Sequence, residues 1–293
     1  MPKITPDALH ALASKIASGN PPGRVLDPIP IAQTQEGPTC GFYALSIVMD
    51  YWKAKGRTQT SVPARKRDVD VQDRDEAEKQ QPSLRNLGKA VGALDVNGVV
   101  KRSTGGVWTA KQLAAVARAV KTENYYVRLK TWTIPGSFIG SICNAIDAGI
   151  PPIVAFDVQD GDPVPDAGGQ KSHWGVIIGY FMLKNALWFI ATHGHGSYYC
   201  WLAITLQQSN FALVGTTYHQ QAAIKISIAG EGLSQLPEKY TRTQWVKGEE
   251  ASKAVALIVD QNRPLEMNAV ETREPFDVAQ DLGRHIVLVE PSS

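Results

Sequence analysis

Residues 33–45 read Gln-Thr-Gln-Glu-Gly-Pro-Thr-Cys-Gly-Phe-Tyr-Ala-Leu, and this stretch does most to decide the expected fold. Cys40 stands at the predicted first turn of an apolar helix, with glutamines just upstream. A helix N-terminus stabilises a thiolate through its positive dipole end and its N–H groups. A glutamine side chain and the backbone N–H of the cysteine can bind the oxyanion that forms when a carbonyl is attacked. The stretch therefore predicts a thiol nucleophile.

A histidine far along the chain is the predicted partner of this thiol. His173 opens a run rich in β-branched residues, which is typical of a buried strand. It lies 133 positions after Cys40, and in papain-like enzymes this separation is about 130–150 residues. A histidine at the start of a strand is held rigidly and can take the thiol proton. We therefore predict that His173 is the general base.

A third group should orient the second ring nitrogen of His173. In a papain-like layout it lies at or after the next strand, predicted over 187–192, where neither Asn nor Asp occurs. Thr192, His193, a backbone carbonyl or a water could serve, and we favour His193 over the alternative that it is an ordinary loop histidine. Asn185, in the turn before that strand, fits less well.

Hydrophobic periodicity predicts helices in the first half of the chain and strands in the second half. This order favours an α+β domain over a repeated βαβ unit. The Thr109–Gln112 sequence has the form of a capping box. We predict helices over 6–18, 41–52, 83–94, 109–120 and 137–148, and strands over 125–130, 150–158, 175–180, 187–192, 197–201, 222–228, 254–259 and 286–290.

The chain divides into an N-terminal helix with its linker, residues 1–23, and a peptidase domain, residues 24–293. The linker is the Gly- and Pro-rich stretch 19–23. Residues 65–81 are dense in mixed charges and predict a charged surface insertion. We expect the N-terminal helix to pack against the domain, although a pro-segment or a partner-binding helix is the alternative.

Composition indicates an ordinary soluble globular protein, since 43% of its 293 residues are hydrophobic and 20% are charged. A net charge of +2 gives no reason to expect a nucleic acid or a membrane as partner. The three cysteines, Cys40, Cys143 and Cys200, do not form a disulfide framework. We therefore expect a cytoplasmic protein in a reducing compartment, and export without a hydrophobic signal stays open.

Metal and cofactor sites are not expected from the sequence. His193, His195 and Cys200 lie close together, but they lack the second ligand pair of a zinc site. The aspartates of the segment before His173 lack the order of a calcium loop, and we expect a solvated loop there. No phosphate-binding or dinucleotide-binding motif occurs. The aspartates concerned are Asp157, Asp160, Asp162 and Asp166.

The stretch from Gln35 to Leu45 resembles the actin maturation protease family, a branch of papain-like cysteine peptidases close to the C39-like group. Other pieces resemble the same family patchily from about residue 30 to 290: 106–113, 152–157 with 171–174, 191–194 and 209–213. The resemblance implies a papain-like fold and cleavage near the N-terminus of a protein substrate, as the family does on immature actin. The charged segment 65–81 looks like an insertion relative to the family.

The resemblance also implies roles for individual residues. Cys40 would be the nucleophile, His173 the base and Gln35 the oxyanion-hole donor. Gln35 precedes Cys40 by five residues, whereas the glutamine of papain precedes its cysteine by six. Gln33 is therefore the reserve candidate.

These observations together predict a single papain-like α+β domain. A helical left half would carry Cys40, an antiparallel-sheet right half would carry His173, and the active site would lie in the groove between them. The predicted function is that of a cysteine peptidase acting on a protein or peptide. Two alternatives stay open: an acyltransferase or peptide cyclase that uses the same site, and a degenerate protease fold that only binds a partner.

Overall fold

The computed structural model describes residues 3–35, 39–64, 82–91, 109–121, 123–132, 136–165, 167, 172–213, 224–227, 244–246, 266–270 and 282–292. The charged segment 65–81 and the predicted strand 254–259 lie outside these residues. Six helices occur in the described ranges: α1 (Pro6–Ala17), α2 (Cys40–Ala54), α3 (Leu84–Ala90), α4 (Ala110–Arg118), α5 (Gly136–Asp147) and α6 (Ala203–Phe211).

Twelve strands accompany these helices in the described parts of the chain. They are β1 (Lys3–Ile4), β2 (Gly23–Val25), β3 (Tyr125–Thr131), β4 (Ile153–Gln159), β5 (Asp162–Pro163), β6 (Ser172–Leu183), β7 (Ala186–His193), β8 (Ser197–Leu202), β9 (Ile224–Ser227), β10 (Gln244–Val246), β11 (Glu266–Val270) and β12 (His285–Pro291).

The main sheet has nine strands, in the order β1-β8-β7-β6-β4-β12-β3, with β2 paired to β6 and β5 paired to β4. All of these pairs are antiparallel. A separate three-stranded sheet has the order β10-β9-β11. Most helices precede the long strands β6, β7 and β8, so the predicted α+β class with an antiparallel sheet is confirmed.

Helix α2 is buried on nearly all sides, because its sequence is apolar around the whole helix. It packs against β6, β7 and β12 of the sheet and against α3 and α4. Two side chains near its C-terminal end donate hydrogen bonds to backbone carbonyls: Trp52 Nε1 to Val289 O at 2.8 Å and Tyr51 Oη to Gly149 O at 2.8 Å. The helix is thus fixed at its far end, and this fixes the position of its first residue, Cys40.

The predicted capping box opens α4. The Thr109 hydroxyl accepts from the Gln112 backbone N–H at 3.0 Å, and the Gln112 side chain accepts from the Thr109 backbone N–H at 3.1 Å. The two bonds satisfy donors that the helix leaves without an intrahelical acceptor. The helix ends at Arg118, two residues before its predicted end.

The N-terminal segment joins the main sheet at both ends of α1. Strand β1 pairs with β8, and β2 pairs with β6. Leu9 and Ile16, on one face of α1, are buried. Neither strand was predicted from the sequence, and Gly23, expected in a linker, is the first residue of β2.

Helix α6 was not predicted, and it holds β4 in place. Asn210 Nδ2 donates to Ala155 O at 2.8 Å, and the Arg284 backbone N–H donates to Asn210 Oδ1 at 2.9 Å. Ser209 Oγ accepts from the Asp157 backbone N–H at 3.0 Å. Buried polar side chains thus connect α6 to β4 and to the turn before β12.

The expectation of a solvated acidic loop is wrong for Asp157. This residue lies within β4 and is fully buried. Asp160 lies in the tight turn that follows, with a positive φ of 52°, and Asp162 begins β5. Asp166 lies outside the described residues. No helix in the described ranges is both long and apolar enough to cross a bilayer.

Candidate active site

The register of three adjacent strands places His173 and His193 on one face of the sheet. His173 of β6 is opposite Phe156 of β4, and Gly175 of β6 is opposite His193 of β7. Side chains alternate along a strand, so residues 173 and 175 share a face with their cross-strand partners. His173 Nε2 lies 3.0 Å from His193 Nδ1, at hydrogen-bond distance. The predicted base and the favoured third residue therefore contact each other.

A register shift within the β6–β7 pair makes this contact possible. Between the hairpin turn and Gly179, the strands follow one register, in which Gly179 is opposite Ile190. Beyond the shift they follow a second register, in which Ile177 is opposite Ala191. A β-bulge of this kind adds one residue to one strand. Without it, His193 would be opposite Val176, and its side chain would be on the other face from that of His173.

His193 is fully buried, and its environment keeps the ring neutral. Burial, with a smaller contribution from the neighbouring His195, lowers the pKa of His193 to about 3. A neutral imidazole can accept a hydrogen bond at one ring nitrogen. We infer that Nδ1 of His193 accepts from the Nε2–H of His173, which leaves Nδ1 of His173 for another partner.

The second ring nitrogen of His193 faces the protein interior. Nε2 is buried and makes no hydrogen bond within the described residues. The Gly161 carbonyl is nonetheless near enough to favour the protonated ring. This position suits a tautomer with the proton on Nε2, which is the tautomer that the contact with His173 requires.

Aromatic rings fix the orientation of His193. The ring stacks on Tyr199, with centroids 4.5 Å apart, and lies near Trp201 at 5.8 Å. Phe156 meets it edge-on at 6.1 Å. Gly175 leaves the room for this packing, because a Cβ atom there would be 3.0 Å from Phe156 Cε1.

The other candidates for the third residue are placed elsewhere. Thr192 adjoins His193 in β7, so its side chain is on the opposite face, and its hydroxyl donates to Ser197 O at 3.0 Å. Asn185 lies in the β6–β7 turn, eight residues before His193, which is about 27 Å along an extended strand. Neither reaches His173.

Gln35 lies directly against the turn after His193. Its backbone N–H donates to Gly194 O at 2.6 Å. Its side chain covers Gly194 so closely that a Cβ atom there would be 2.0 Å from Gln35 Oε1. The structure thus brings Gln35 beside the His173–His193 pair.

Gln33, the reserve candidate, is held away from the start of α2. Its Nε2 donates to Asp50 Oδ2 at 2.8 Å. Asp50 follows Cys40 by ten residues, which is about 15 Å along the helix at 1.5 Å per residue. The Gln33 amide is therefore occupied far from Cys40.

The three cysteines differ in their settings. Cys40 is half-buried at the first position of α2, and α2 packs against β6 and β7, which carry the histidines. Burial raises the pKa of Cys143 to about 11, with a contribution from Asp147, and burial alone raises the pKa of Cys200 to about 11. These two thiols are therefore protonated at neutral pH.

A third histidine, which was not predicted to contact His173, joins the pair. His195 is exposed, and its ring centroid lies 4.4 Å from that of His193 and 5.4 Å from that of His173. One ring nitrogen from each histidine falls within 4.8 Å of the other two. The sequence feature that could have indicated this contact is the His-x-His spacing of His193 and His195 at a strand end, which puts both side chains on one side. Cys200, which the sequence analysis grouped with them, is not part of this cluster.

Comparisons with known proteins give little further guidance. No family model matches the sequence, and no curated protein matches it. Among solved structures, digestive procathepsin L 3 of the Tenebrio molitor larval midgut is similar to this chain, with 14% identity and a TM-score of 0.35. The similarity covers 59% of this chain and 61% of the procathepsin chain. Function is therefore inferred from the geometry of the site.

Proposed function

We propose that this protein is a papain-like cysteine peptidase that hydrolyses peptide bonds of a protein substrate. The observation that carries the proposal is the 3.0 Å contact between His173 Nε2 and His193 Nδ1. A cysteine peptidase needs a histidine whose far nitrogen is bound by an orienting group. A neutral, buried His193 can fill the role that a carboxamide fills in papain-like enzymes.

The chemistry assigns one role to each residue. Cys40, as thiolate, attacks the carbonyl carbon of the scissile bond, and a C–S bond forms while the carbonyl oxygen becomes an oxyanion. The Gln35 amide and the backbone N–H of Cys40 stabilise that oxyanion. His173 gives its proton to the leaving amine, and the C–N bond breaks. Water, activated by the same histidine, then releases the acyl group.

His193 acts through His173. Because the pKa of His193 is lowered to about 3, its ring stays neutral while His173 gains and loses a proton. The hydrogen bond from His173 Nε2–H then becomes charge-assisted in the imidazolium form. This bond favours the thiolate–imidazolium state of Cys40 and His173, and it keeps Nδ1 of His173 directed to its partner.

The resemblance of residues 35–45 to actin maturation proteases supports a finer proposal for the substrate. The protein would cleave near the N-terminus of an actin-like protein. Because Cys40 must be a free thiol to act, we also propose a reducing compartment. An immature actin N-terminal peptide is the first substrate to try, and product mass separates hydrolysis, which adds water, from transfer to an amine.

The decisive experiment is the pH dependence of iodoacetamide alkylation at Cys40, read by mass spectrometry. The wild type should react quickly well below pH 8, and His173→Ala should lose this reactivity. A free thiol ionises near pH 8.5. If wild-type Cys40 reacted slowly, and reacted faster only near that pH in both proteins, the peptidase proposal would fail and a degenerate, partner-binding fold would be preferred.

His193 variants test its positioning role in the same assay. His193→Asn keeps a side-chain acceptor and should preserve fast alkylation at low pH. His193→Leu removes the acceptor and should move the alkylation profile towards that of a free thiol. Equal profiles in both variants would exclude a role for His193 in orienting His173.

A further inference from the structure

The His173, His193 and His195 rings form a cluster that the peptidase chemistry uses only in part. One ring nitrogen of each histidine lies within 4.8 Å of one ring nitrogen of each of the other two. It is the one group of three or more potential metal ligands found in the described residues. Neutral imidazole nitrogen is among the commonest ligands of transition metals in proteins.

The distances suit a single metal ion. Two nitrogens bound to one tetrahedral zinc by bonds of about 2.0–2.1 Å lie about 3.3 Å apart. His173 Nε2 and His193 Nδ1 are 3.0 Å apart, so an ion beside the line that joins them would be within reach of both nitrogens once the His173 ring turned towards it. His195 must approach by more, and its exposed side chain has the freedom to do so.

The backbone around His195 is held firmly, although its ring is exposed. Thr34 forms a β-bridge with His195. The His195 backbone N–H donates to His193 O at 2.6 Å, and the Gly196 backbone N–H donates to Gln33 O at 2.9 Å. A change of side-chain rotamer, without movement of the backbone, is therefore enough to bring the His195 ring to the metal. The inward-facing Nε2 of His193, near the Gly161 carbonyl, gives this ligand the outer contact that metal-bound histidines usually have.

We propose that His173, His193 and His195 bind a divalent transition metal such as Zn²⁺, and that the bound metal inhibits Cys40. When Nε2 of His173 binds the metal, its proton must leave that nitrogen. In the neutral ring it moves to Nδ1, and from an imidazolium one proton is released to solvent. Either way Nδ1 keeps a proton that a metal-bound neutral ring gives up much less readily than an imidazolium does, so His173 can no longer supply it to the leaving amine. The inhibitory effect rests on the proposed peptidase function, whereas metal binding does not.

Titration of the metal-free full-length protein with Co²⁺ tests binding directly through the visible d–d absorption of the bound ion. The wild type should bind one equivalent without the strong charge-transfer absorption that a thiolate ligand gives. His195→Ala should weaken binding by more than the 10–100-fold typical for loss of an outer contact. His10→Ala, which removes an exposed histidine on α1, is the matched control and should bind as the wild type does.

Cys40→Ala separates this site from a simple Cys–His pair. It should retain Co²⁺ binding, and Zn²⁺ should slow hydrolysis of a peptide substrate by the wild type but not by His195→Ala. If His195→Ala bound Co²⁺ as tightly as the wild type, or if Cys40→Ala abolished binding, the three-histidine site would be refuted. Binding with no effect of Zn²⁺ on peptide hydrolysis would overturn the inhibitory role. A Cys40 that is slow without metal would count against the peptidase proposal alone.

Discussion

Gly194→Ala is the substitution that tests the proposed oxyanion role of Gln35 most directly. The added Cβ atom would be 2.0 Å from Gln35 Oε1 and 2.7 Å from both Cβ and Cδ of that residue. Carbon atoms in proteins do not approach so closely, and rotation of the amide alone cannot relieve a contact with Cβ. Gly194 does not have a positive φ, so alanine meets no backbone strain there, and the clash is the whole effect.

The expected loss of turnover follows from displacement of the Gln35 amide. The Gln35 backbone is bonded to Gly194 O at 2.6 Å, so relief of the contact with Cβ requires the two backbone segments to separate, and the Gln35 amide is displaced with them. Loss of one oxyanion-hole donor typically costs a factor of about 10²–10³ in turnover, or roughly 3–4 kcal/mol of transition-state free energy. We expect Gly194→Ala and Gln35→Ala to share this loss.

Two reactions of Cys40 separate the oxyanion hole from the nucleophile. Acylation by a p-nitrophenyl ester passes through an oxyanion, whereas alkylation by iodoacetamide does not. Gly194→Ala and Gln35→Ala should slow acylation by about 10²–10³-fold and leave alkylation nearly unchanged. Gln33→Ala is the matched control and should change neither rate. The assignment would be refuted if both reactions slowed equally, or if Gln33→Ala slowed acylation as Gln35→Ala does.

Three further predictions follow from buried groups. Because the folded-state pKa of His193 is lowered to about 3 from 6.5, its neutral form stabilises the fold above pH 6.5, and that stability is lost as the pH falls towards 3. The free energy of unfolding in urea should therefore fall by up to about 1.4 kcal/mol per pH unit in this window, and by less in His193→Asn; equal slopes would contradict the assignment. Asn210→Ala removes the hydrogen bonds to Ala155 O and from the Arg284 N–H. It should lower the free energy of unfolding by about 2–4 kcal/mol, measured by urea denaturation, and a loss below about 0.5 kcal/mol would show that water replaces these bonds. Cys143 and Cys200, whose pKa values are raised to about 11, should be alkylated far more slowly than Cys40 at pH 7 in peptide mass mapping; faster labelling of either would mean that its burial is lost in solution.

Local signals in the sequence were enough for elements that carry strong patterns. The apolar residues of α2, the Thr109–Gln112 capping box and the β-branched run after His173 each predicted the observed element. These patterns report burial and backbone hydrogen bonding within a few residues. They therefore also placed Cys40 at a helix start and His173 at a strand start.

Elements defined by distant partners escaped prediction. Strands β1 and β2 have two and three residues, which is too few to show any periodicity. They form because their backbones pair with β8 and β6, respectively. Helix α6 has polar residues on its buried face, including Ser209 and Asn210, whose hydrogen bonds to β4 replace apolar packing. His195 was missed as a neighbour of His173 because cross-strand register cannot be read from one strand alone.

The bulge in β6 has a consequence for how this protein can vary. The extra residue between Ile177 and Gly179 shifts the register of the β6–β7 pair by one residue, and this shift decides which side chains of the two strands share a face. A related chain that lacked only this residue would pair without a shift, because Gly179 would still be opposite Ile190 and Gly175 opposite His193. A chain of the same length that paired without the bulge would instead bring His193 opposite Val176, on the other face from His173. The contact between the two histidines therefore tolerates loss of the extra residue but not a change of register, and the Lys184–Asn185 turn is restricted too, because both of its residues have positive φ.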